Sequence, residues 1–235
     1  MLIGNGQFLL GDALALMRSM PNDSVDCILT DPPYKTISGG IEHSKRLGRF
    51  QMFSNETKSQ DGSIFKHNDC KISDYLPEFF RILKSGSHCY VMTNNINLRE
   101  LLNQADRVGF GFHNLLIWEK NNANPNRWYM KNMELTVFLY KKPAKTVNNP
   151  NSKQIIKFDN IRNKLHPTQK PIELMQYYIE NSTQLDELVF DPFAGSGSTA
   201  IAAELLGRRW LCCELDLQYY LTATGRMWSH QNASL

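Results

Sequence analysis

Residues Thr30 to Lys35 read TDPPYK and follow directly on the apolar run VDCILT. A carboxylate, two residues without backbone N–H groups and an aromatic ring therefore stand at the tip of an expected strand. Asp31 offers acidic oxygens and Pro32 a backbone carbonyl, so the tip is rich in hydrogen-bond acceptors. Pro32 and Pro33 keep this backbone out of a regular ladder and hold it extended and stiff. Tyr34 adds a ring face on which a planar group can stack. Taken alone, DPPY is also how a strand ending in a Pro-Pro turn reads.

A second stretch, LVFDPFAGSGSTAIAAELLGRRWLCCELD, has the logic of a nucleotide-type site. A strand ends at Asp191, the glycine turn AGSG follows, a helix begins near Ser198, and the next strand ends at Glu214, 23 positions after Asp191. Glycines let a ligand approach the backbone closely, and a helix N-terminus presents N–H groups. An acid at the end of the second strand can take both hydroxyls of a ribose. The three-glycine pyrophosphate fingerprint is absent, and a carboxylate at Asp191 repels a diphosphate but favours an ammonium group. This points away from NAD and towards S-adenosylmethionine, which carries an amino acid and a sulfonium in place of phosphates.

Strand and helix signals alternate along the chain that must position these residues. GQFLLGD, SVDCILT, SHCYVMT, HNLLIWEK, MELTVFLYKK, ELVFDPF and RRWLCCELD read as seven strands, several of them near-continuous apolar runs of the kind buried on both faces. ALALMRSMP, DYLPEFFRILKSG, NLRELLNQADRVGF, PIELMQYYIENST, STAIAAELLG and LQYYLTATGRMW read as helices, the second stopped by Gly86 and the fourth started by Pro171. The pattern predicts an α/β fold: one open, largely parallel seven-stranded sheet with helices on both faces. The two strands that enclose NNANPNRWYMKN form an expected antiparallel pair at one edge. Residues 35–71 are polar and too long for an ordinary connection, which suggests either a functional insertion or a partly disordered segment in a single domain spanning 1–235.

The 235 residues, 42% of them hydrophobic, suffice for a sizeable core, and no run reaches the roughly 20 apolar residues that span a bilayer. The N-terminus lacks a basic leader followed by a long apolar run. Cys27, Cys70, Cys89, Cys212 and Cys213 have no paired metal-ligand spacing, so reduced thiols in a cytoplasmic protein and no metal site are expected. The net charge of +3 hides an asymmetry. Residues 120–170 hold eleven Lys/Arg against two Asp/Glu, whereas residues 171–235 hold three against eight. A basic segment on a near-neutral chain suggests a polyanionic partner, although a solvated loop has the same composition.

DPPY, HPTQKP (His166 to Pro171) and DPFAGSGST together resemble the motifs of amino-group DNA methyltransferases. Their order, catalytic motif first and cofactor motif last, resembles the permuted beta class of adenine-N6 and cytosine-N4 enzymes. The likeness covers most of the chain outside 35–71 and 141–165. It implies a circularly permuted Rossmann-like methyltransferase fold with S-adenosylmethionine as cofactor. It implies that Asp31, Pro32, Pro33 and Tyr34 are catalytic. It implies that Asp191, Phe193, Ala194 and Gly195, with Ser196 and Gly197, wrap the methionine part of the cofactor. By the same likeness, Thr168 and Lys170 reach its methionine end, Glu214 binds the ribose, and Asp12 with Ala13 meets the adenine. The local reading of Asp12 is a plain helix N-cap, and both readings can hold. A bacterial or phage origin and a homodimer are also implied by the family.

With this likeness, the DPPY tip acquires a chemistry. An exocyclic amino nitrogen is a poor nucleophile because its lone pair is delocalised into the ring. Two acceptors on its protons, the Asp31 carboxylate and the Pro32 carbonyl, draw that lone pair out of conjugation. Tyr34 then stacks on a base swung out of the duplex. Cytosine-N4 enzymes of the family more often begin this motif with Ser, so Asp31 implies adenine N6, with cytosine N4 as the alternative. An RNA or protein amide substrate, and a non-catalytic regulator that senses the cofactor, are further readings.

Double-stranded DNA is the expected partner. Lys131, Lys141, Lys142, Lys145, Lys153, Lys157, Arg162 and Lys164 are candidates to neutralise phosphates. Arg127 and Trp128 are candidates to contact the duplex or fill the gap left by a flipped base. The insertion adds Lys35, Lys45, Arg46, Arg49 and Lys66, and segment 120–165 is the expected target-recognition region.

Overall fold

A computed structural model describes residues 1–33, 70–124, 128–162, 165 and 169–233. Along the chain run β1 (Leu2–Ile3), β2 (Gly6–Leu10), α1 (Ala13–Ser19), β3 (Val25–Thr30), α2 (Ile72–Ile82), β4 (Leu83–Thr93) and α3 (Leu98–Val108). They are followed by β5 (Gly111–Asn124), β6 (Lys131–Tyr140), β7 (Ile155–Lys157), α4 (Ile172–Ser182), β8 (Leu188–Asp191), α5 (Ser198–Leu205), β9 (Arg209–Glu214) and α6 (Leu217–Ala233).

The strands form one sheet in the order β1-β2-β9-β8-β3-β4-β6-β5-β7. From β2 to β4 every neighbour is parallel. All six residues of β3 are buried, which is why VDCILT shows no polar alternation. Its side chains alternate between two cores: Cys27 and Leu29 join the cluster under α4, α5 and α6, and Ile28 joins the one under α1, α2 and α3. In α5 the run Ala200–Ala203, three alanines and Ile201, is wholly buried against the sheet and its neighbouring helices.

Among the described residues, two of the nine strands go beyond the seven expected. β1 doubles back antiparallel on β2, and β7 arises within the basic stretch after residue 141 and pairs with β5. The antiparallel β5–β6 pair is present, but β7 takes the sheet edge outside it. Gly86 does not stop a helix. α2 ends at Ile82, and Leu83 turns extended at φ −70° and ψ 133°. Gly86, at φ +84°, lies within β4 where the ladder with β3 slips, so that Val25 faces Leu83 but Cys27 faces His88. A bulge uses the freedom of glycine as readily as a helix end does.

Candidate active site

β3 and β8 lie side by side, and the chain leaves them in opposite directions. From β8 it passes through α5 to β9 on one flank; from β3 it passes through α2 to β4 on the other. At such a switch point the connections diverge and leave a crevice beyond the carboxyl ends of the strands. DPPY and the glycine turn both begin there, at Asp31 and Asp191.

Asp31 follows β3 directly, and one of its oxygens is paired with the ammonium of Lys170. Lys170, from HPTQKP, is only 7% exposed and also lies 3.3 Å from Oε2 of Glu134 on β6. The other oxygen of Glu134 is paired with Lys120 of β5, whose ammonium sits 5.0 Å from the Trp118 ring. Burial pushes the Glu134 carboxyl up, but the two ammonium groups outweigh it and hold it down at about 2. Four alternating charges thus run from β5 to the DPPY tip. Glu134 and Lys120 escaped the sequence reading; the signal was an acid alone in the apolar run of MELTVFLYKK.

Asp191 is buried, and its carboxylate accepts hydrogen bonds from Thr30 Oγ1 at 2.7 Å, Thr199 Oγ1 at 2.6 Å and the Phe193 N–H at 3.1 Å. The side chain is turned into the protein and braces β8 against the residue before Asp31. Burial raises its pKa to about 6 despite these donors. Thr30 and Thr199 are further residues that motif reading missed, because a hydroxyl that reaches Asp191 from a neighbouring strand or from the first turn of a helix leaves no spacing signal.

The glycine turn is built as the spacing anticipated. Gly195 and Gly197 both take positive φ, +52° and +78°, and Gly197 caps α5. A Cβ on Gly197 would lie 3.1 Å from Cβ of Ala223. The Gly195 N–H donates to Glu214 Oε2 at 2.8 Å, and the Asp216 N–H to Oε1 at 2.9 Å. Each carboxylate oxygen keeps a second lone pair, so hydroxyl donors can still be taken. Ala194 is buried with its N–H on the Cys213 carbonyl, and Phe193 packs edge-on against Tyr75 at 5.7 Å. Asp12 caps α1 by accepting from the Ala15 N–H at 2.7 Å, with Ala13 buried behind it. Because β2 pairs with β9, Leu10 lies opposite Glu214 and the Gly11 N–H bonds the Glu214 carbonyl, so Asp12 follows at the same end of the sheet. Ser198 Oγ donates to the Lys170 carbonyl, and Arg226 of α6 donates to the Ser196 carbonyl, so the turn is tied to HPTQKP and to the last helix. A cleft of about 650 Å³ opens beside Lys170 and Arg226, between the start of α4 and the stretch from Lys157 to Ile161.

The basic residues fall at two ends of the sheet. β6 runs antiparallel to β4, so its start lies at the catalytic end and its finish at the opposite end. Lys131, Trp128, Lys157 and Arg162 accordingly belong to the catalytic end, where Trp128 is 78% and Tyr129 92% exposed. Lys141, Lys142 and Lys145 stand at the other end. Lys141 is spent on Asp23 at 2.8 Å and the Leu83 carbonyl at 2.8 Å, and the Lys145 N–H bonds Gly86. The segment read as one basic surface is split because a strand passes through it. Tyr34, Lys35, Lys45, Arg46, Arg49, Lys66, Arg127, Lys164 and Thr168 lie outside the described residues.

The crevice thus brings together an acceptor-rich tip on β3, the glycine turn after β8 and the acid at the end of β9. A sequence model of the DNA methylase family (N6/N4 methyltransferases) matches residues 25–225, and the chain belongs to that family. The Type II methyltransferase M2.MboI of Moraxella bovis is 26% identical over 235 residues, covering 89% of this chain and 82% of its own. In fold, the chain resembles the crystal structure of the M1.HpyAVI–SAM complex, with a TM-score of 0.70, 23% identity, and coverage of 94% of this chain and 99% of that one. It equally resembles PvuII DNA methyltransferase (cytosine-N4-specific), with a TM-score of 0.71, 19% identity, and coverage of 98% and 92%. Among the described residues no helix is long and apolar enough to cross a membrane, and all five cysteines are free.

Proposed function

We propose that this DNA methyltransferase acts on the N6 amino group of adenine in double-stranded DNA, after the base has left the stack. The observation that carries the reading is Asp31: a carboxylate at the tip of β3, adjoining the glycine turn and oriented by Lys170. The cofactor is S-adenosylmethionine, and when bound it supplies an electrophilic methyl carbon on a sulfonium. The residues fit it. Glu214 has acceptor capacity for ribose hydroxyls, Asp12 lies just beyond the strand paired with it for the adenine, and the turn Ala194 to Gly197 has no side chain larger than that of serine. Asp31 and the Pro32 carbonyl accept hydrogen bonds from the two N–H groups of the target amine and bring its lone pair into play. An amine that donates two hydrogen bonds to fixed oxygens is also held in place, and such positioning supplies much of the rate.

Incubation with methyl-free genomic DNA and S-adenosylmethionine, followed by sequencing that maps modified bases, tests the reading. N6-methyladenine at a defined sequence is expected; N4-methylcytosine would move the assignment to the other amino base. Asp31→Ala should retain S-adenosylmethionine binding and lose transfer by about 10²-fold or more.

A further inference from the structure

Glu134 lies at the catalytic end of β6, opposite Trp118 of β5 and one residue before the stretch paired with β4. It stands between two ammonium groups, paired with Lys120 on one oxygen and 3.3 Å from Lys170 on the other. Lys170 in turn carries Asp31. Taking charges out of water costs about as much as pairing returns, so stability alone is a weak reason for such a chain. What distinguishes it is where it ends, on the carboxylate that receives the target amine.

During transfer the N–C bond forms from the nitrogen lone pair and the C–S pair stays on sulfur. Positive charge thereby passes to the nitrogen, which sheds a proton that ends in solvent. An ammonium group beside Asp31 would oppose that gain of charge unless a second anion offsets it. We infer that Glu134 is a positioning residue for methyl transfer: it pins the Lys170 ammonium, fixes Asp31 through it, and cancels its charge next to the reacting nitrogen. The inference rests on the amino-methyltransferase reading and holds for either base. Lys120 secures the far oxygen of Glu134, so the lock spans β5, β6 and the segment before α4.

The test compares Glu134→Gln, Lys170→Met and the double variant by single-turnover methylation of methyl-free genomic DNA, with S-adenosylmethionine affinity and thermal unfolding measured alongside. Glu134→Gln is expected to slow transfer by about 10-fold or more while cofactor affinity stays within about 2-fold. The double variant is expected to be no slower than Lys170→Met, because Glu134 acts through Lys170. An unchanged rate, losses that multiply in the double variant, or a loss expressed as weaker cofactor binding would overturn the inference. If Glu134→Gln does not fold, Lys120→Met must slow transfer in the parent protein and leave the Lys170→Met rate unaltered; equal effects in both count against it. Failure of the underlying reading looks different, since the unaltered protein would then methylate no DNA.

Discussion

At the tip of β8, the Asp191 carboxyl titrates at about 6 because burial outweighs the hydrogen bonds from Thr199, Thr30 and Phe193, against 3.8 for an ordinary aspartate. As pH rises, the unfolded chain releases this proton first and the folded chain keeps it until about 6. The folded state therefore binds more protons within that window, and stability falls as pH rises through it. Asp191→Asn cannot ionise, so its stability relative to the parent should improve between about pH 4 and pH 7, by roughly 2–3 kcal/mol. Urea unfolding at both pH values measures this; a constant difference would contradict the assignment. Thr30→Val leaves a buried carboxylate oxygen with one donor fewer and should cost about 1–3 kcal/mol. Because Thr30 precedes Asp31, the same variant should slow methyl transfer more than it weakens cofactor binding, a split that kcat against KM reads directly.

Elements turn these residues into a site through their ends. Gly197 caps α5 in the left-handed region, with φ +78°, and the turn it closes carries the N–H that meets Glu214. Gly197→Ala should destabilise the protein by about 1–2 kcal/mol from backbone strain alone. The added methyl also presses on Ala223 of α6 at 3.1 Å, so S-adenosylmethionine binding, followed by calorimetry, should weaken. Affinity equal to the parent would show that the turn tolerates another conformation. Gly86 gives the complementary lesson. Its positive φ serves a slip in the β3–β4 ladder, where local sequence suggested a helix stop. A glycine signals the conformation the backbone needs, and the pairing partner decides which element uses it.

Across the whole molecule, charge is sorted by the direction of β6. Exposed Lys131, Lys157 and Arg162 share the catalytic end, whereas exposed Lys142 and Lys145 lie at the far end of the sheet. Lys131→Ala with Lys157→Ala should weaken DNA binding and reduce the slope of log affinity against log salt by about 0.9 per lost phosphate contact. Lys142→Ala with Lys145→Ala should leave both affinity and slope unchanged. Fluorescence anisotropy over a salt series separates the pairs, and equal losses would place DNA elsewhere. The terminal elements complete the catalytic sheet: α6 packs its Tyr220 against Phe8 of β2 at 5.7 Å, and β2 lies beside β9.

Motifs whose parts are adjacent in the chain were legible from sequence alone. VDCILT ending in DPPY, and a strand, glycine turn, helix and strand ending at Glu214, state their own geometry, because backbone conformation there is set by prolines, glycines and continuous apolar runs. The α/β class and the methylase family followed from them. What only the tertiary structure decided is which side chains meet across the sheet: Lys170 on Asp31, Glu134 on Lys170, Thr30 on Asp191, and which end of β6 each lysine occupies. Those contacts join residues far apart in sequence, and nothing in local propensity or spacing encodes strand order or direction, which are settled when the sheet closes over its two cores.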